Sequence, residues 1–395
     1  MRPENLELIT ELRHALHAHP ELSGQEVETR RRLQDFIKQH TDFQVHDEGS
    51  WFWVEVPPRG RAAIPESAAS SSHQTDAPAI AFRADMDALP ILETLDLPHC
   101  SQNRGVSHKC GHDGHSAALA GLALELQARP PEREVILIFQ HAEEIGAGGF
   151  PASRLLERKP IAAVYAFHNW SGIPRGCVAT RVGVSQCASL GLTVRMRGVT
   201  AHASQPEDGR NPAIALSKLA LFSEELAGVQ HLGHTNPHFK DLALSTIVNL
   251  EAGAKDFGIS ASAGELSLTL RAREEADLEK LKDLILETAE QLANEGGFQL
   301  TSALHDVFPE TRNSPESVAV VERSAGRAGL PLVQLEVPYR ASEDFGHYLK
   351  LTKGAMVYIG NGEDYPPIHT DKFDFVDSNL EVAVNLWLAI LAESN

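Results

Sequence analysis

Two short segments carry the residues best suited to chemistry: residues 110–113 read CGHD and residues 141–144 read HAEE. A thiolate and imidazoles are ligands that suit zinc, and a glutamate oxygen also suits manganese or cobalt. Cys110 and His112 stand two positions apart, which turns both side chains to the same side of an extended loop. Of two adjacent glutamates, one can bind the metal while the other moves a proton. Together these segments predict a metal-dependent hydrolase.

Further donors follow three apolar runs that have the character of buried strands. These donors are Asp85 and Asp87, Glu143 and Glu144, and His168. Open α/β sheets form their sites at the carboxyl ends of such strands, so the donors are expected to lie together. A cysteine near a histidine can also be a small buried hydrophobe in a motif that arises by chance. The three strand ends make that alternative the weaker one.

The composition is that of a globular protein with more than one domain. The 395 residues are 42% hydrophobic and 23% charged, and the formal net charge is -19. Such a negative chain is not expected to bind nucleic acid or anionic membranes. We find no apolar segment long enough to span a bilayer and no signal-peptide pattern, and four cysteines are too few for a disulfide scaffold. A cytoplasmic location is therefore expected.

Helix and strand patterns alternate through the first part of the chain. A helical stripe of leucine and isoleucine ends before Pro20, and Ser23 with Glu26 forms a capping box that predicts the start of a second helix. A strand over 51–56 precedes residues 57–78, which are rich in Pro, Ala and Ser and are interpreted as a tolerated surface insertion. The alternation continues to about residue 183, which predicts a doubly wound, mostly parallel sheet.

A different pattern begins at about residue 185. Alternating and helical runs follow at about residues 190–196, 211–229, 242–250, 266–270, 276–295 and 298–304. Their order, strand, helix, strand, strand, helix, strand, predicts a split βαβ unit, a ferredoxin-like α+β fold with one open sheet face. We therefore predict an α/β catalytic domain formed by residues 1–184 and 306–395, with a lid domain inserted at residues 185–305.

Eight motifs occur in an order that is found in a known group of enzymes. They are HAHPELSGQE, RADMDALP, HKCGHDGH, AEE, AFHNW, GVTAHAS, SEDFGHY and PPIHTD. With them the chain resembles the metallo-aminoacylases, which include hippurate hydrolases and plant indole-acetyl-amino-acid hydrolases and are related to di-metal carboxypeptidases. The motifs extend over nearly the whole chain. The resemblance implies a catalytic α/β domain interrupted by a smaller lid, the organisation that the element pattern also predicts.

The resemblance implies roles for individual residues. The five metal ligands would be Cys110, His112, Glu144, His168 and His369. Glu143 would be the general base, Asp87 would orient a metal-bound histidine, and His202 would reach the substrate from the lid. The cofactor would be one or two divalent transition metal ions per chain, Zn, Mn, Co or Ni, with Cys110 as a bridge between two ions. The partners would be a small N-acyl amino acid or similar amide and, through the lid domain, a second copy of the chain.

Together with the resemblance, these residues predict hydrolysis of the amide bond of an N-acyl amino acid by metal-activated water, with Glu143 moving the proton. One alternative is a dipeptidase or carboxypeptidase that uses the same metal site. Another is a thiol acyl-transfer enzyme that uses Cys110 with His112 or His115. A catalytically inactive binding protein is disfavoured because every ligand and the base are present.

Two departures from the group concern the substrate. His141 stands where members usually have proline, and residues 254–265 read AKDFGISASAGE where a segment like NVIPD is usual. Asp256 or Phe257 lies near the expected asparagine. That segment usually helps to shape the substrate site at the edge of the lid. The sequence therefore leaves the acyl and amino-acid preferences open.

Other chemically suited residues are assigned supporting roles. His115 and Asp113 are expected to be hydrogen-bond partners of the ligands, and Glu343 and Asp344 to be structural. A histidine cluster at the end of the first helix, with no carboxylate nearby, is expected to have surface or structural roles. It comprises His14, His17 and His19. The expected packing residues are Cys100, Cys177 and Cys187.

Overall fold

The computed structural model describes residues 1–60, 77–233 and 236–394. Most of the predicted insertion at residues 57–78 therefore lies outside the described residues. Contacts between residues divide the chain into two compact units. The first unit comprises Met1–Ser185, Thr311–Val337 and Asp344–Asn395, and the second comprises Gln186–Glu310 and Pro338–Glu343. The assignment of catalytic and lid roles to parts of the chain stays a prediction.

Sixteen strands and ten α-helices lie in the described parts of the chain. The strands are β1 (Gln44–Asp47), β2 (Phe52–Val56), β3 (Ala79–Asp85), β4 (Val135–Gln140), β5 (Ile161–Ser171), β6 (Val178–Thr180), β7 (Gly183–Gln186), β8 (Ala188–Arg197), β9 (Ala201–His202), β10 (Ala243–Ala252), β11 (Ile259–Ser260), β12 (Ala263–Ala272), β13 (Gln299–Phe308), β14 (Thr311–Asn313), β15 (Leu332–Gln334) and β16 (Lys353–Gly362). The helices are α1 (Pro3–Ala18), α2 (Val27–His40), α3 (His112–Ala128), α4 (Gly149–Ser153), α5 (Leu155–Arg158), α6 (Ala213–Ala227), α7 (Glu275–Gly296), α8 (Pro315–Ala328), α9 (Gly346–Leu349) and α10 (Ser378–Glu393). None of these described helices is both long enough and apolar enough to cross a membrane.

The first unit contains an eight-stranded sheet with the strand order β1-β2-β4-β3-β5-β16-β6-β15. Its central strands pair in parallel, β3 with β4 and β5, and β5 with β16, while β1 and β2 add an antiparallel edge. Strands β3 and β4 are buried along their whole length, which explains why both are nearly continuous apolar runs. The predicted doubly wound, mostly parallel α/β sheet is confirmed.

Helix α3 packs against β3 and contacts both α1 and α10. It is rich in alanine and leucine. Nearly all of its residues are buried, because several of its faces are apolar and pack against neighbouring elements. Gly121 permits a close approach of α1, since a Cβ at this position would lie 2.8 Å from Ile9 Cδ1. This packing fixes the amino-terminal end of α3, which begins at His112.

The second unit contains a four-stranded antiparallel sheet with the order β10-β12-β8-β13. Alternate residues of its central strands, such as Leu190, Leu192 and Leu268, form an apolar core with residues of α6 and α7. The chain order of these elements is β8, α6, β10, β12, α7, β13. This is the predicted β-α-β-β-α-β order, so the split βαβ fold is confirmed.

The predicted capping box is wrong. Helix α2 begins after Glu26, which makes no side-chain capping hydrogen bond. The carboxylate of Glu21 instead accepts a hydrogen bond from the backbone amide of Thr29 in the first turn, at 2.8 Å, and takes the role predicted for Ser23. The side chains of Ser23 and Glu26 bind the loops that follow β3 and β4.

Candidate metal centre

Three neighbouring strands deliver most of the candidate donors. Strand β3 ends at Asp85, and Asp87 follows two positions later. Strand β4 leads into Glu143 and Glu144, and β5 contains His168 near its carboxyl end. Because β3 pairs in parallel with both other strands, their carboxyl ends meet at one edge of the sheet. The structure therefore brings these side chains to the same edge.

The loop before α3 supplies Cys110 and His112 at this edge. Gly111 lies between them with a φ of +104°, in the left-handed region that favours glycine. A Cβ at Gly111 would lie 2.2 Å from Asn169 Oδ1, so no larger residue fits without displacing Asn169. The Asn169 amide also donates a hydrogen bond to the Cys110 carbonyl at 3.1 Å. Glycine at 111 thus lets the chain turn sharply into the helix with a ligand candidate on either side.

Cys110 belongs to two groups of possible metal ligands. In one group it lies with His112 and His168, and in the other with Glu144 and His369. Within each group the donor atoms all lie within 4.8 Å of one another. The Cys110 sulfur is 3.3 Å from His168 Nε2 and 3.3 Å from His369 Nε2. All five ligands implied by the resemblance therefore converge on one thiol, within the first unit.

Asp87 fixes the orientation of His112. The His112 Nδ1 atom is 3.1 Å from Asp87 Oδ1 and 3.1 Å from the Asp87 carbonyl oxygen. This arrangement leaves His112 Nε2 facing the glutamate pair, 3.8 Å from Glu143 Oε2 and 3.7 Å from Glu144 Oε1. A carboxylate that holds the far nitrogen of a ligand histidine is a common feature of metal sites.

Two buried polar atoms at the site have no hydrogen-bond partner among the described residues: His112 Nε2 and Glu144 Oε1. A buried polar atom without a partner costs about 1–3 kcal/mol, so folded proteins rarely retain one without a reason. Both atoms belong to the ligand set that the resemblance implies, and both would be satisfied by a cation. The donors that are present therefore fit a divalent transition metal ion.

The charges around the site lead to the same conclusion. Burial lowers the pKa of His112, but Asp85 and Asp87 outweigh it and raise this pKa to about 10. Burial, together with Glu144 and Glu143, raises the pKa of the Cys110 thiol well above its usual value. The site therefore contains more carboxylates than positively charged side chains. A divalent cation would compensate this charge and favour the thiolate and the neutral imidazole, the forms that bind metals.

Backbone strain occurs at two residues of the site. Ala142, directly before the glutamate pair, has a φ of 48°, and His369 has a φ of 63°. A left-handed conformation outside glycine costs on the order of 1–3 kcal/mol and persists only where surrounding contacts impose it. The Ala142 amide donates to Glu26 Oε1 at 2.8 Å, and the His369 amide donates to the Lys109 carbonyl at 2.7 Å. Hydrogen bonds from distant segments therefore hold both residues.

His115 lies beside the ligands with both ring nitrogens engaged. Its Nδ1 is 2.6 Å from Asp85 Oδ1, and its Nε2 is 2.6 Å from Asn169 Oδ1. Asp85 in turn is paired with the buried Arg83 at 2.6 Å, and Arg83 contacts Asp344 at 2.8 Å. Asp344 also accepts a hydrogen bond from the Gly149 amide at 2.6 Å. This network supports the strand ends and engages both ring nitrogens of His115.

The expectation that no carboxylate lies near the histidine cluster of the first helix is wrong. His17 is buried, with Nδ1 2.8 Å from Asp113 Oδ2 and Nε2 3.0 Å from Glu93 Oε1. The buried Arg13 donates to Asp113 at 2.9 Å, and the buried Lys109 donates to Glu93 at 2.5 Å. The acids come from segments far away in the sequence, which spacing alone cannot reveal.

Sequence reasoning also missed Asn169 as a residue of the site. The signal was present, because Asn169 directly follows the ligand candidate His168 in the AFHNW motif. Arg13 and Lys109 were harder to recognise from the sequence. Charged residues are seldom fully buried, so an arginine or lysine is normally expected to be exposed to solvent.

His202 belongs to the second unit, on the short strand β9, which pairs with β11. Its imidazole is exposed, and its Nδ1 atom lies 2.7 Å from the Ser204 hydroxyl. The role implied for His202 stays a prediction.

A profile of the family described as peptidase family M20/M25/M40 matches residues 81–393 of the chain. The chain belongs to this family. The predicted relationship to aminoacylases and di-metal carboxypeptidases is thereby confirmed, and so is the predicted enzyme class, a metal-dependent amidohydrolase.

Members of the M20 family with assigned names are similar over most of their length. The chain is 28% identical to the N-acetyl-L-cysteine deacetylase of Bacillus subtilis (strain 168) over 356 residues, 90% of the chain and 80% of the relative. It is 28% identical to the N-acetyldiaminopimelate deacetylase of Shouchella clausii (strain KSM-K16) over 389 residues, 96% of each protein. The Bacillus subtilis YXEP protein, whose crystal structure is described as a dinuclear metal binding M20 peptidase, superposes with a TM-score of 0.78 at 25% identity, covering 99% of the chain and 98% of that structure.

Proposed function

We propose that this protein hydrolyses the amide bond of small N-acyl amino acids at a metal centre held by Cys110, His112, Glu144, His168 and His369. The observation that carries the proposal is the position of Cys110, which is common to two groups of donors. A thiolate shared in this way can bridge two divalent ions. The named relatives, which act on N-acetylcysteine and N-acetyldiaminopimelate, support an N-acyl amino acid as substrate.

The cofactor in this proposal is one or two ions of Zn, Mn, Co or Ni. Thiolate and imidazole ligands suit zinc, and the glutamate oxygen extends the range to the other ions. When bound, the metal supplies Lewis-acid polarisation of the amide carbonyl and makes water acidic enough to lose a proton near neutral pH.

Glu143 is the proposed general base. Its carboxylate is buried beside that of Glu144, so one glutamate can bind metal while the other stays available for a proton. In this role Glu143 takes the proton of the attacking water and then delivers it to the leaving nitrogen of the amide. Asp87 has a positioning role, because it holds His112 Nδ1 and so keeps Nε2 directed at the ligand set.

His202 is proposed to act on the substrate rather than on the metal. An imidazole can donate a hydrogen bond to the oxygen that gains charge as water attacks the carbonyl. The exposure of His202 and its hydrogen-bonding distance to Ser204 are compatible with a side chain that meets a ligand.

A thiol enzyme that uses Cys110 as nucleophile is the less favoured alternative. Nucleophilic cysteines have a lowered pKa and lie in a positive environment. Cys110 has the opposite surroundings, since burial and the carboxylates of Glu144 and Glu143 raise its pKa. A bound metal ion would deprotonate such a thiol more readily than a neighbouring histidine would.

Chelation followed by substrate screening tests the proposal. Protein is freed of metal with a chelator, reconstituted separately with Zn, Mn, Co or Ni, and assayed with N-acetyl and N-benzoyl amino acids and with dipeptides. We expect activity to disappear on chelation, to return with metal, and to be higher on N-acyl amino acids. Full activity after metal removal would favour the thiol enzyme, and preference for dipeptides would favour the peptidase alternative.

A cytoplasmic location and a homodimer formed through the lid are part of the same proposal. All four cysteines are free, as expected for a protein in a reducing compartment. Light scattering of the purified protein tests the dimer.

A further inference from the structure

A short segment between α1 and α2 lies along the loop that follows β3. We call residues 20–26 the N-terminal strap. Leu22 forms a parallel bridge with Ala88, and the Ala88 amide donates to the Glu21 carbonyl at 2.8 Å. The strap thus runs beside Asp87. The strap lies within the motif HAHPELSGQE (residues 17–26), to which neither the resemblance nor the family profile, which begins at residue 81, assigns a role.

Ser23 of the strap binds Asp87 directly. Its hydroxyl donates to Asp87 Oδ2 at 2.7 Å, and the same oxygen accepts the Glu144 amide at 3.0 Å. The other oxygen, Oδ1, faces His112 Nδ1 at 3.1 Å. Asp87 therefore links two ligand candidates, and Ser23 restricts the rotation of the carboxylate that forms this link.

Glu26, at the other end of the strap, binds the strained backbone before the glutamate pair. Its buried carboxylate accepts the Ala142 amide at 2.8 Å. The Ala142 carbonyl accepts the amides of Ala147 and Gly148 at 3.0 and 3.1 Å. The turn that carries Glu143 and Glu144 is thus held at Ala142 by Glu26 and, two residues further on, at Glu144 by Asp87.

The strap residues have the pattern of a helix capping box but do not act as one. Glu26 makes no side-chain capping hydrogen bond to α2, and Glu21 provides the bond to the first turn. The Ser23 hydroxyl instead donates to Asp87, and the Glu26 carboxylate accepts the Ala142 amide in addition to backbone amides of the strap. Two side chains that bind to the site in this way, where the backbone is strained, indicate a positioning role.

We propose that Ser23 and Glu26 are positioning residues: Ser23 sets the orientation of the Asp87–His112 pair, and Glu26 sets the turn that presents Glu143 and Glu144. The inference rests on the proposed function. The two residues act on different properties. Ser23 acts through Asp87 on the proposed ligand His112 and therefore on metal affinity. Glu26 binds Ala142, directly before Glu143, whereas the Glu144 amide is held separately by Asp87, so Glu26 acts mainly on the rate of the chemical step.

The test uses full-length protein and paired variants. Ser23→Ala removes the hydroxyl donor, and Ser324→Ala is its control, because Ser324 is a buried serine that donates to the Val320 carbonyl at 2.7 Å in α8. Glu26→Met removes the acceptor at similar volume. Its control is Glu125→Met, because Glu125 is buried and accepts the backbone amide of Arg2 at 2.9 Å.

Three readouts separate positioning from general destabilisation: the metal dissociation constant by chelator competition, the thiolate-to-metal absorption of the cobalt-loaded protein, and kcat and KM measured separately.

For Ser23→Ala we expect about tenfold weaker metal binding and an altered cobalt spectrum. For Glu26→Met we expect kcat to fall ~10-fold or more at nearly constant KM and metal content. Glu26→Gln, whose amide oxygen can still accept the Ala142 amide, should restore most of kcat.

The inference is overturned if both strap variants match their controls in all three readouts while the wild type binds metal and hydrolyses substrate. A wild type that neither binds metal nor hydrolyses N-acyl amino acids would instead refute the proposed function. If Glu26→Met fails to fold, Ser23→Ala alone decides, because it removes one hydroxyl that is not fully buried.

Discussion

Cys110 and His369 are separated by 259 positions in the sequence, yet the Cys110 sulfur lies 3.3 Å from His369 Nε2. The two loops that carry these ligand candidates are also joined through the backbone, since the His369 amide donates to the carbonyl of Lys109, the neighbour of Cys110. His369 adopts a left-handed conformation with a φ of 63° to reach this position. A strained non-glycine residue is retained where the surrounding structure requires it, and the proposed role of His369 and Cys110 in holding one metal centre would be such a requirement.

Cys110→Ser should reduce metal content and activity together while the fold is kept. Cys110 is buried and lies in both donor groups, so its replacement weakens both positions. Serine is close to cysteine in size but a poorer ligand for zinc. Metal analysis after dialysis, with circular dichroism as the measure of folding, checks this expectation. Unchanged metal content in the variant would remove Cys110 from the ligand set.

Replacing the two adjacent glutamates should give two different defects. Glu143→Gln should keep the metal content near wild type and lower kcat by at least ~10²-fold, the usual scale of general-base catalysis. Glu144→Gln should lose metal, because Glu144 lies with Cys110 and His369 in one donor group. Metal content and kcat are measured on both variants. The reverse pattern would show that the roles of the pair are exchanged.

The fold class could be predicted because the hydrophobic periodicity of the sequence is clear where the helices and strands are long. Strands such as β3, β4 and β8 are seven, six and ten residues long, and helix α7 has 22 residues. Strands β6 and β15, which have three residues each, were missed because so short a segment contains no period.

The ligand candidates were predictable because each lies in a motif with distinctive neighbours. The residues that support them were not, since their partners meet only in the folded chain. Ser23 was assigned to a helix cap from local spacing, but its hydroxyl binds Asp87, 64 positions later. His17 was assigned no carboxylate, but Glu93 and Asp113 reach it from segments 76 and 96 positions away. Hydrogen bonds between residues so far apart in the chain produce no periodic pattern in a single sequence.

The buried cluster around His17 should make stability depend on pH. Burial lowers the pKa of His17, but hydrogen bonds to Asp113 and Glu93 outweigh it and raise this pKa from 6.5 to about 9. Because the folded-state pKa lies above the unfolded one, the contribution of protonated His17 is complete below about pH 6.5 and is lost as pH rises to about 9.

Urea unfolding of wild type and His17→Gln, both in chelator, checks this expectation. The difference in free energy of unfolding should be largest near pH 6 and should shrink by up to about 3 kcal/mol by pH 9.5, following the linkage between pKa and stability. Ionisations of groups that do not interact with His17 cancel in the difference. A difference that stays constant with pH would mean that the pKa of His17 is the same in the folded and the unfolded protein.

The last prediction concerns His202, whose proposed role is toward the substrate. If its imidazole donates to the developing oxyanion, His202→Ala should lower kcat by ~10²–10³, the usual cost of losing such a donor. Metal content and melting temperature should stay near wild type, because the side chain is exposed and belongs to the second unit, whereas the ligand candidates belong to the first. His305→Ala is the matched control, since His305 is also an exposed histidine of the second unit, on β13. It should keep full kcat. If His202→Ala retains kcat as well, the residue has no part in the chemical step, and the oxyanion must be stabilised by other groups.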